Sequence, residues 1–418
     1  GSACMKALAE AGFEVTGIGR SRRSAMALDP SGRWIIRDLP TITVADWRDL
    51  LSGADVIVNA SGALQDGGQD DLEAIHVTAI SRLVEAAAEM ALRIIQISAA
   101  GVSDHASTAF FRTKARGDAI ISNAAQDWVI LRPTLVLSHD AYGGTALLRA
   151  AAALPLVLPR IMPGTLVQTM YVGDVAKAVV AAAKGDVPTG TIADLTETDA
   201  RSFPELLSIV RRWQGWPPPL LTLPVPSVLL RIAASGADLL GHLGWRSPLR
   251  ATALRALADG IRGDAATWET AGGAPCRSLG DTLALLPATR QDRVFARAYF
   301  GLPLAIGTLA LFWCLSGFIT LGNPARAMAV LSGRGAGSWI SGAAVMGGAV
   351  ADLVLGFAIL WRAWARRAAL GMIGLSCVYL IGSIALTPDL WADPLGPMVK
   401  VFPGMALAAM VWLLLEDR

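Results

Sequence analysis

Few side chains in this sequence have both the type and the setting to do chemistry. Ser98 closes the apolar run "RIIQIS", and Lys114 stands in "STAFFRTKARGDAI", one helical turn after Phe110. A lysine can hold hydroxyls or phosphate, and a serine can hydrogen-bond. The run "GRSRR" brings Arg20, Arg22 and Arg23 together. Guanidinium groups pair with phosphate through charge and paired N–H donors. Asp352 lies alone in an otherwise uncharged stretch, and His76, His105, His139 and His242 are isolated. Cys4, Cys276, Cys314 and Cys377 are scattered with no CxxC, so neither a metal site nor a disulfide framework is expected. They read as reduced, buried thiols.

The elements that must position these residues fall into two parts with different solvents. Charged residues make up 17% of the 418, against roughly a quarter in a typical soluble domain. The mean hydropathy of +0.48 places part of the chain in lipid. The net charge of +2 calls for no nucleic-acid partner. The apolar excess lies after residue 297. Ala298–Leu321 carries no charge and would make a helix about 36 Å long, enough to cross a hydrocarbon core of roughly 30 Å. Ser338–Trp361, Ala368–Thr387 and Pro397–Leu415 repeat the pattern, so four spans are expected. In the second, Ala343, Gly347 and Ala351 form a small-residue stripe suited to close helix packing. Arg290, Arg293, Arg297, Arg362, Arg366, Arg367 and Arg418 on one side outnumber Arg326, Arg334 and Lys400 on the other. The positive-inside rule then makes this a multi-pass inner-membrane protein with both termini cytoplasmic. Lys6 and Glu10 in the first helix argue against a signal peptide.

Residues 1–200 alternate strand-like and helix-like runs. Glu14–Gly19, Arg33–Arg37, Asp55–Ala60, Arg93–Ser98 and Asp127–Arg132 are short and rich in Val or Ile, as strands buried on both faces should be. Asp70–Met90 has helical periodicity. This order predicts a doubly wound parallel α/β sheet. Residues 201–289 read as a smaller substrate lobe and linker. Within them Ser227–Leu243 is an apolar helix that either covers a pocket or lies on a membrane surface. Residues 290–418 form the all-α, four-helix membrane domain.

Several stretches, in order, resemble the short-chain dehydrogenase superfamily of the atypical or extended kind. They are "GSACMKALAEAGFEVTGIGR", "DVIVNASG", "RIIQISAAGV", "WVILRPTLV" and "QTMYVGDVAKAV". The resemblance implies a Rossmann-type NAD(P)-binding domain. Gly1 and Ser2 then stand at the end of a phosphate-facing glycine turn whose preceding strand the sequence lacks. A gap in the sheet and weak cofactor binding by residues 1–418 alone are expected. The resemblance further places Ala60, Ser61 and Gly62 beside the cofactor, Asp38 near adenine, and Pro133 after the active-site helix. Arg20 and Arg22, where Asp or Glu would select NAD(H), favour NADP(H), with NAD(H) as the alternative. Ser98 and Lys114 occupy catalytic positions, Lys114 also serving the ribose, but Phe110 replaces the expected Tyr. The resemblance therefore leaves two readings open. One is a membrane-bound oxidoreductase acting on a lipophilic or quinone-like partner. The other is a non-catalytic NADPH-binding protein, like an accessory subunit of respiratory complex I. The tail resembles the DoxX-like four-helix membrane family through "LFWCLSGFITLG", "ADLVLGFAIL" and "WADPLGPMVKVFP".

Overall fold

The Val- and Ile-rich runs of the first half become parallel strands in a computed structural model. It describes every residue except 65, 68, 69, 246, 248 and 416–418. Arg418, counted above for orientation, lies outside the described residues. The strands are β1 (Thr16–Gly19), β2 (Arg33–Ile36), β3 (Val56–Asn59), β4 (Arg93–Ile97), β5 (Asp127–Pro133) and β6 (Thr191–Leu195). β1 pairs with β2, and a separate four-stranded sheet has the order β6-β5-β4-β3. Every pairing among these six is parallel, with Val58 opposite Ile95, Ile95 opposite Val129 and Leu131 opposite Ala193. Among the described residues no strand bridges β1 and β3, so the sheet is interrupted there.

Alternation along β4 explains why both faces need cover. Ile95 joins a core with Val129, Leu131, Cys4, Leu8, Val175 and Val179. Its neighbour Ile94 joins the opposite core, with Trp47, Ile80, Leu83 and Ile121. Helices α1 (Ser2–Glu10) and α4 (Val172–Lys184) supply the first layer; α2 (Ala79–Ala87) and α3 (Ala109–Ala124) supply the second. The helix expected over Asp70–Met90 is irregular. A wide π-helical turn, Ala74–Thr78, precedes α2. Gly117 on α3 faces that turn so closely that a Cβ there would lie 2.3 Å from His76 O. A smaller core, with Leu206, Leu207, Val210 and Leu279, holds part of the segment after β6.

The described chain divides into two units: Gly1–Asp238 with Ser247–Arg293, and Leu239–Arg246 with Val294–Arg418. Helix α5 (Ser227–His242) ends in the second of them. The second unit is built on α6 (Arg290–Gly322), α7 (Pro324–Ser332), α8 (Ser338–Ala358), α9 (Arg362–Leu386) and α10 (Val401–Leu414). α6, α8 and α9 are long and apolar enough to cross a membrane. The fourth expected span is shorter than the sequence suggests. α10 has 14 residues, about 21 Å, below the roughly 30 Å of a hydrocarbon core. Pro394 and Pro397 lie in the irregular segment before it, where proline cannot extend a helix backwards.

The packing face of α8 also differs from expectation. Ala343 and Gly347 are exposed. The face turned inward carries Ser341, Ala349, Asp352 and Gly356. A Cβ on Gly317 of α6 would meet Ala349 O at 2.8 Å, and one on Gly356 would meet Cys314 Sγ at 2.6 Å. Asp352 Oδ2 accepts from Ser316 Oγ of α6 at 2.6 Å, and Oδ1 accepts from Tyr379 Oη of α9 at 2.6 Å. The buried carboxylate thus ties three helices together.

Candidate cofactor site

Side chains from four elements converge at the carboxyl end of β3. Asn59, its last residue, donates from Nδ2 to Gln96 Oε1 on β4 at 2.8 Å. Its Oδ1 accepts from Ser61 N at 3.1 Å and from Ser61 Oγ at 2.6 Å. These bonds fix the turn Ala60-Ser61-Gly62, which carries three of the candidate cofactor residues. Gly1, at the N-terminus of α1, abuts the turn: a Cβ on it would lie 3.7 Å from Ala60 Cβ. Gly62 faces two further groups, 3.4 Å from His76 Nε2 and 3.5 Å from Lys114 Nζ by the same measure. The structure therefore brings Gly1, Ala60, Ser61, Gly62 and Lys114 together. Ser2 opens α1 beside them.

Lys114 is buried on α3, and its Nζ donates to Ile97 O at 3.1 Å. Burial pulls its ammonium down to about 8, while the Asp118 carboxylate opposes that fall. His76 is buried and held neutral: desolvation, with the Lys114 charge beside it, takes its imidazole down to about 3. The backbone N–H of Ala63 donates to His76 Nε2 at 3.2 Å, which leaves the ring proton on Nδ1, 2.8 Å from Thr113 Oγ1. Thr113 in turn donates to Phe110 O at 3.1 Å. The Phe110 ring stands edge-on to the imidazole, 5.8 Å between centroids. Position 110 thus offers an apolar edge where the resemblance calls for an ionisable phenol.

Ser98 is engaged elsewhere. Its Oγ donates to Asp118 Oδ2 at 2.8 Å, and the same oxygen accepts from Arg132 Nε at 3.1 Å and Nη2 at 3.0 Å. Asp118 Oδ1 is buried without a partner among the described residues. Burial raises the Asp118 carboxyl above its ordinary value, and Arg132 and Ser98 work against that rise. Pro133, next along β5, is buried and its carbonyl accepts from Ala100 N at 3.0 Å. In the sequence His76 stands out only as an isolated histidine, and Asp118 and Arg132 do not stand out at all. Asp118 was discoverable, lying one helical turn beyond Lys114 on the same face of α3. His76 lies in the π-helical turn, which sequence spacing does not foretell.

The remaining candidates lie farther out. Arg20 follows β1 and its Nη1 pairs with Asp70 Oδ1 at 2.7 Å. Arg22 is exposed at the start of the helix Arg22–Leu28, and exposed Asp38 caps the turn Leu39–Thr41. Beside the Asp70 loop lies a cavity of about 510 Å³, lined among others by Asp70, Glu73, Arg112, Thr113 and Arg116. Arg116 grips Glu73 with two bonds, 2.9 and 2.5 Å. Among the described residues no His, Cys, Asp and Glu side chains group to hold a metal. All four cysteines are free, Cys4 buried and the other three half-buried.

Comparison with known proteins bears on the two regions as wholes. Residues 1–184 match the model of a family described as NAD(P)H-binding, and residues 310–409 match a DoxX-like family. No curated protein sequence matches. Among solved structures, the Bordetella bronchiseptica enzyme WbmG, in complex with NAD, is 16% identical with a TM-score of 0.52. The match covers 71% of this chain and 91% of WbmG. A UDP-glucose 4-epimerase of Thermotoga maritima, with UDP-glucose, is 12% identical with a TM-score of 0.50, over 69% of this chain and 94% of that one. The protein gox2253 is 18% identical at a TM-score of 0.50, over 71% and 95%. At these identities the likeness is one of fold. The chain thus carries a Rossmann-type fold in the region that matches an NAD(P)H-binding family, followed by apolar helices in the region that matches a DoxX-like family.

Proposed function

We propose that the protein is a membrane-anchored oxidoreductase that binds NADP(H) in preference to NAD(H). It would work at the cytoplasmic face of the inner membrane on a lipid-soluble, quinone-like partner. The observation that carries the reading is the convergence of Lys114, Gly62, Ser61, Ala60 and Gly1 at the end of β3. The residues fit a dinucleotide. Two side-chain-free positions leave room for close backbone approach, and a buried ammonium stands beside one of them. When bound, a nicotinamide dinucleotide supplies hydride chemistry. Lys114 would hold ribose hydroxyls, Asn59 would keep the Ser61 turn in place, and Arg20 and Arg22 would meet a 2′-phosphate. Phe110 and His76 exclude water from the inner side.

The absence of a phenol at position 110 favours a partner that takes its protons from solvent, as a quinone at an interface does, over a carbonyl that needs a positioned acid. Arginines near the α8–α9 turn support the orientation. Arg362 lies over Trp245 at 5.7 Å, Arg366 over Trp412 at 5.2 Å and Arg367 over Trp364 at 5.3 Å. Tryptophan and arginine together mark membrane–water boundaries. A second reading, a non-catalytic NADPH-binding protein, is favoured by one observation: Ser98 spends its proton on Asp118. Membranes containing the full-length protein separate the two. The oxidoreductase consumes NADPH when a short-chain quinone is added. Cofactor binding without consumption would leave only the second reading.

A further inference from the structure

Helix α5 displays three different faces. Leu230, Ala234 and Ala237, three or four residues apart, are buried. Ser227, Arg231, Ser235, Asp238 and His242 follow the same spacing along one side. The third side is apolar yet uncovered: Val228 is 53% exposed, Leu229 57%, Ile232 63% and Leu239 66%. The strand just before it, Leu221–Pro224, is exposed throughout. Beside that strand sits Leu156, held in the left-handed region at φ 63° and also exposed. Its carbonyl accepts from Leu220 N at 2.8 Å and Leu221 N at 3.2 Å. A β-carbon makes that backbone unfavourable, so the chain accepts strain to present an apolar tip. Soluble surfaces rarely expose so continuous a patch.

The end of the helix says what covers it. Residues Leu239–Arg246 belong with the membrane unit. There Trp245 Nε1 donates to Leu360 O at 2.6 Å, Arg362 N donates to Leu243 O at 3.0 Å, and Arg362 lies over the Trp245 ring. Leu360–Arg362 is the turn between two membrane-length helices, α8 and α9. The segment just after α5 is therefore fastened to the turn between α8 and α9.

From this placement we propose that α5 is an interfacial helix, its stripe of Val228, Leu229, Ile232 and Leu239 immersed in the lipid leaflet that α8 and α9 enter. A helix with one apolar and one polar side lies in the plane of a bilayer interface in this way. The proposal rests on the membrane reading of α6, α8 and α9, and the experiment keeps the two apart.

The full-length protein is reconstituted into phosphatidylcholine–phosphatidylglycerol vesicles that contain a diazirine-acyl phosphatidylcholine, irradiated, and its peptides mapped for lipid adducts. Adducts are expected on the peptide around Val228–Leu240 as well as on α6, α8 and α9, with none on the helix Phe203–Trp213. Ile232→Glu should lose the α5 adducts and keep those on the spans. Labelled spans with an unlabelled α5 would overturn this proposal alone. Unlabelled spans would overturn the membrane reading, and this proposal with it.

Discussion

The charge on Lys114 is the most informative single property of the site. Burial lowers its ammonium to about 8 from the ordinary 10.5, a difference on the order of 3 kcal/mol. The unfolded chain keeps that proton up to about pH 10.5, whereas the folded chain releases it from about pH 8. The folded state thus carries the full penalty below pH 8 and is relieved of it as the pH rises through that window. Unfolding of the wild type should therefore show stability gained between about pH 8 and 10.5, relative to Lys114→Met. A parallel pair of curves would mean that Lys114 is solvated. Cofactor affinity should move the opposite way, falling as the ammonium deprotonates. Asp70 is the other telling residue, because it pairs with the arginine assigned to the 2′-phosphate. Removing an ion pair this exposed changes energies by up to about 1 kcal/mol. Asp70→Asn should tighten NADPH binding by up to about fivefold and leave NADH unchanged, as read by cofactor fluorescence titration. Arg20→Asp should reverse the preference. The sequence points to Ser98 and Lys114 as candidates, but not to the bond from Ser98 to Asp118. It depends on how α3 is rotated against β4 and β5, which sequence spacing does not fix.

At the scale of elements, α3 and the turn it faces are the critical joint. Gly117 admits the His76 carbonyl where any side chain would collide with backbone. Gly117→Ala should cost on the order of 2 kcal/mol or more and weaken cofactor binding, since His76 and Gly62 would shift together. A thermal melt with wild-type midpoint and affinity would show that α3 can step away without cost. In the membrane unit Asp352 plays a comparable role for α6, α8 and α9. Asp352→Leu should lower the detergent melting temperature of the protein yet leave the NADPH affinity of the first unit intact. The central strands could be read from the sequence because a strand buried on both faces must be a short apolar run, as β4 and β5 are; β1, β2 and β3 are only partly covered. The membrane helices were harder. Small and apolar residues lie on every side of α8, and lipid accepts all of them, so composition did not separate the packed face of Ala349, Asp352 and Gly356 from the exposed Ala343 and Gly347. Hydropathy likewise marked a fourth span without showing that prolines shorten its helix to α10.

At the scale of the whole molecule, one chain carries a nucleotide-binding fold and a DoxX-like membrane domain. The change from a charged to an apolar stretch is visible in the sequence because charge density drops abruptly near residue 297. That the short segment Leu239–Arg246 belongs with the membrane unit was not, since it reads as the end of a linker helix. Under the proposed function this joining matters because a lipid-soluble acceptor is concentrated where the nicotinamide domain is tethered. The most direct test follows NADPH consumption by vesicles carrying the full-length protein, with and without a short-chain quinone in the bilayer. The account predicts consumption that requires both protein and quinone, is faster with NADPH than with NADH, and is lost in Lys114→Met. Cofactor that binds to the vesicles and is never oxidised by any quinone supplied would contradict it.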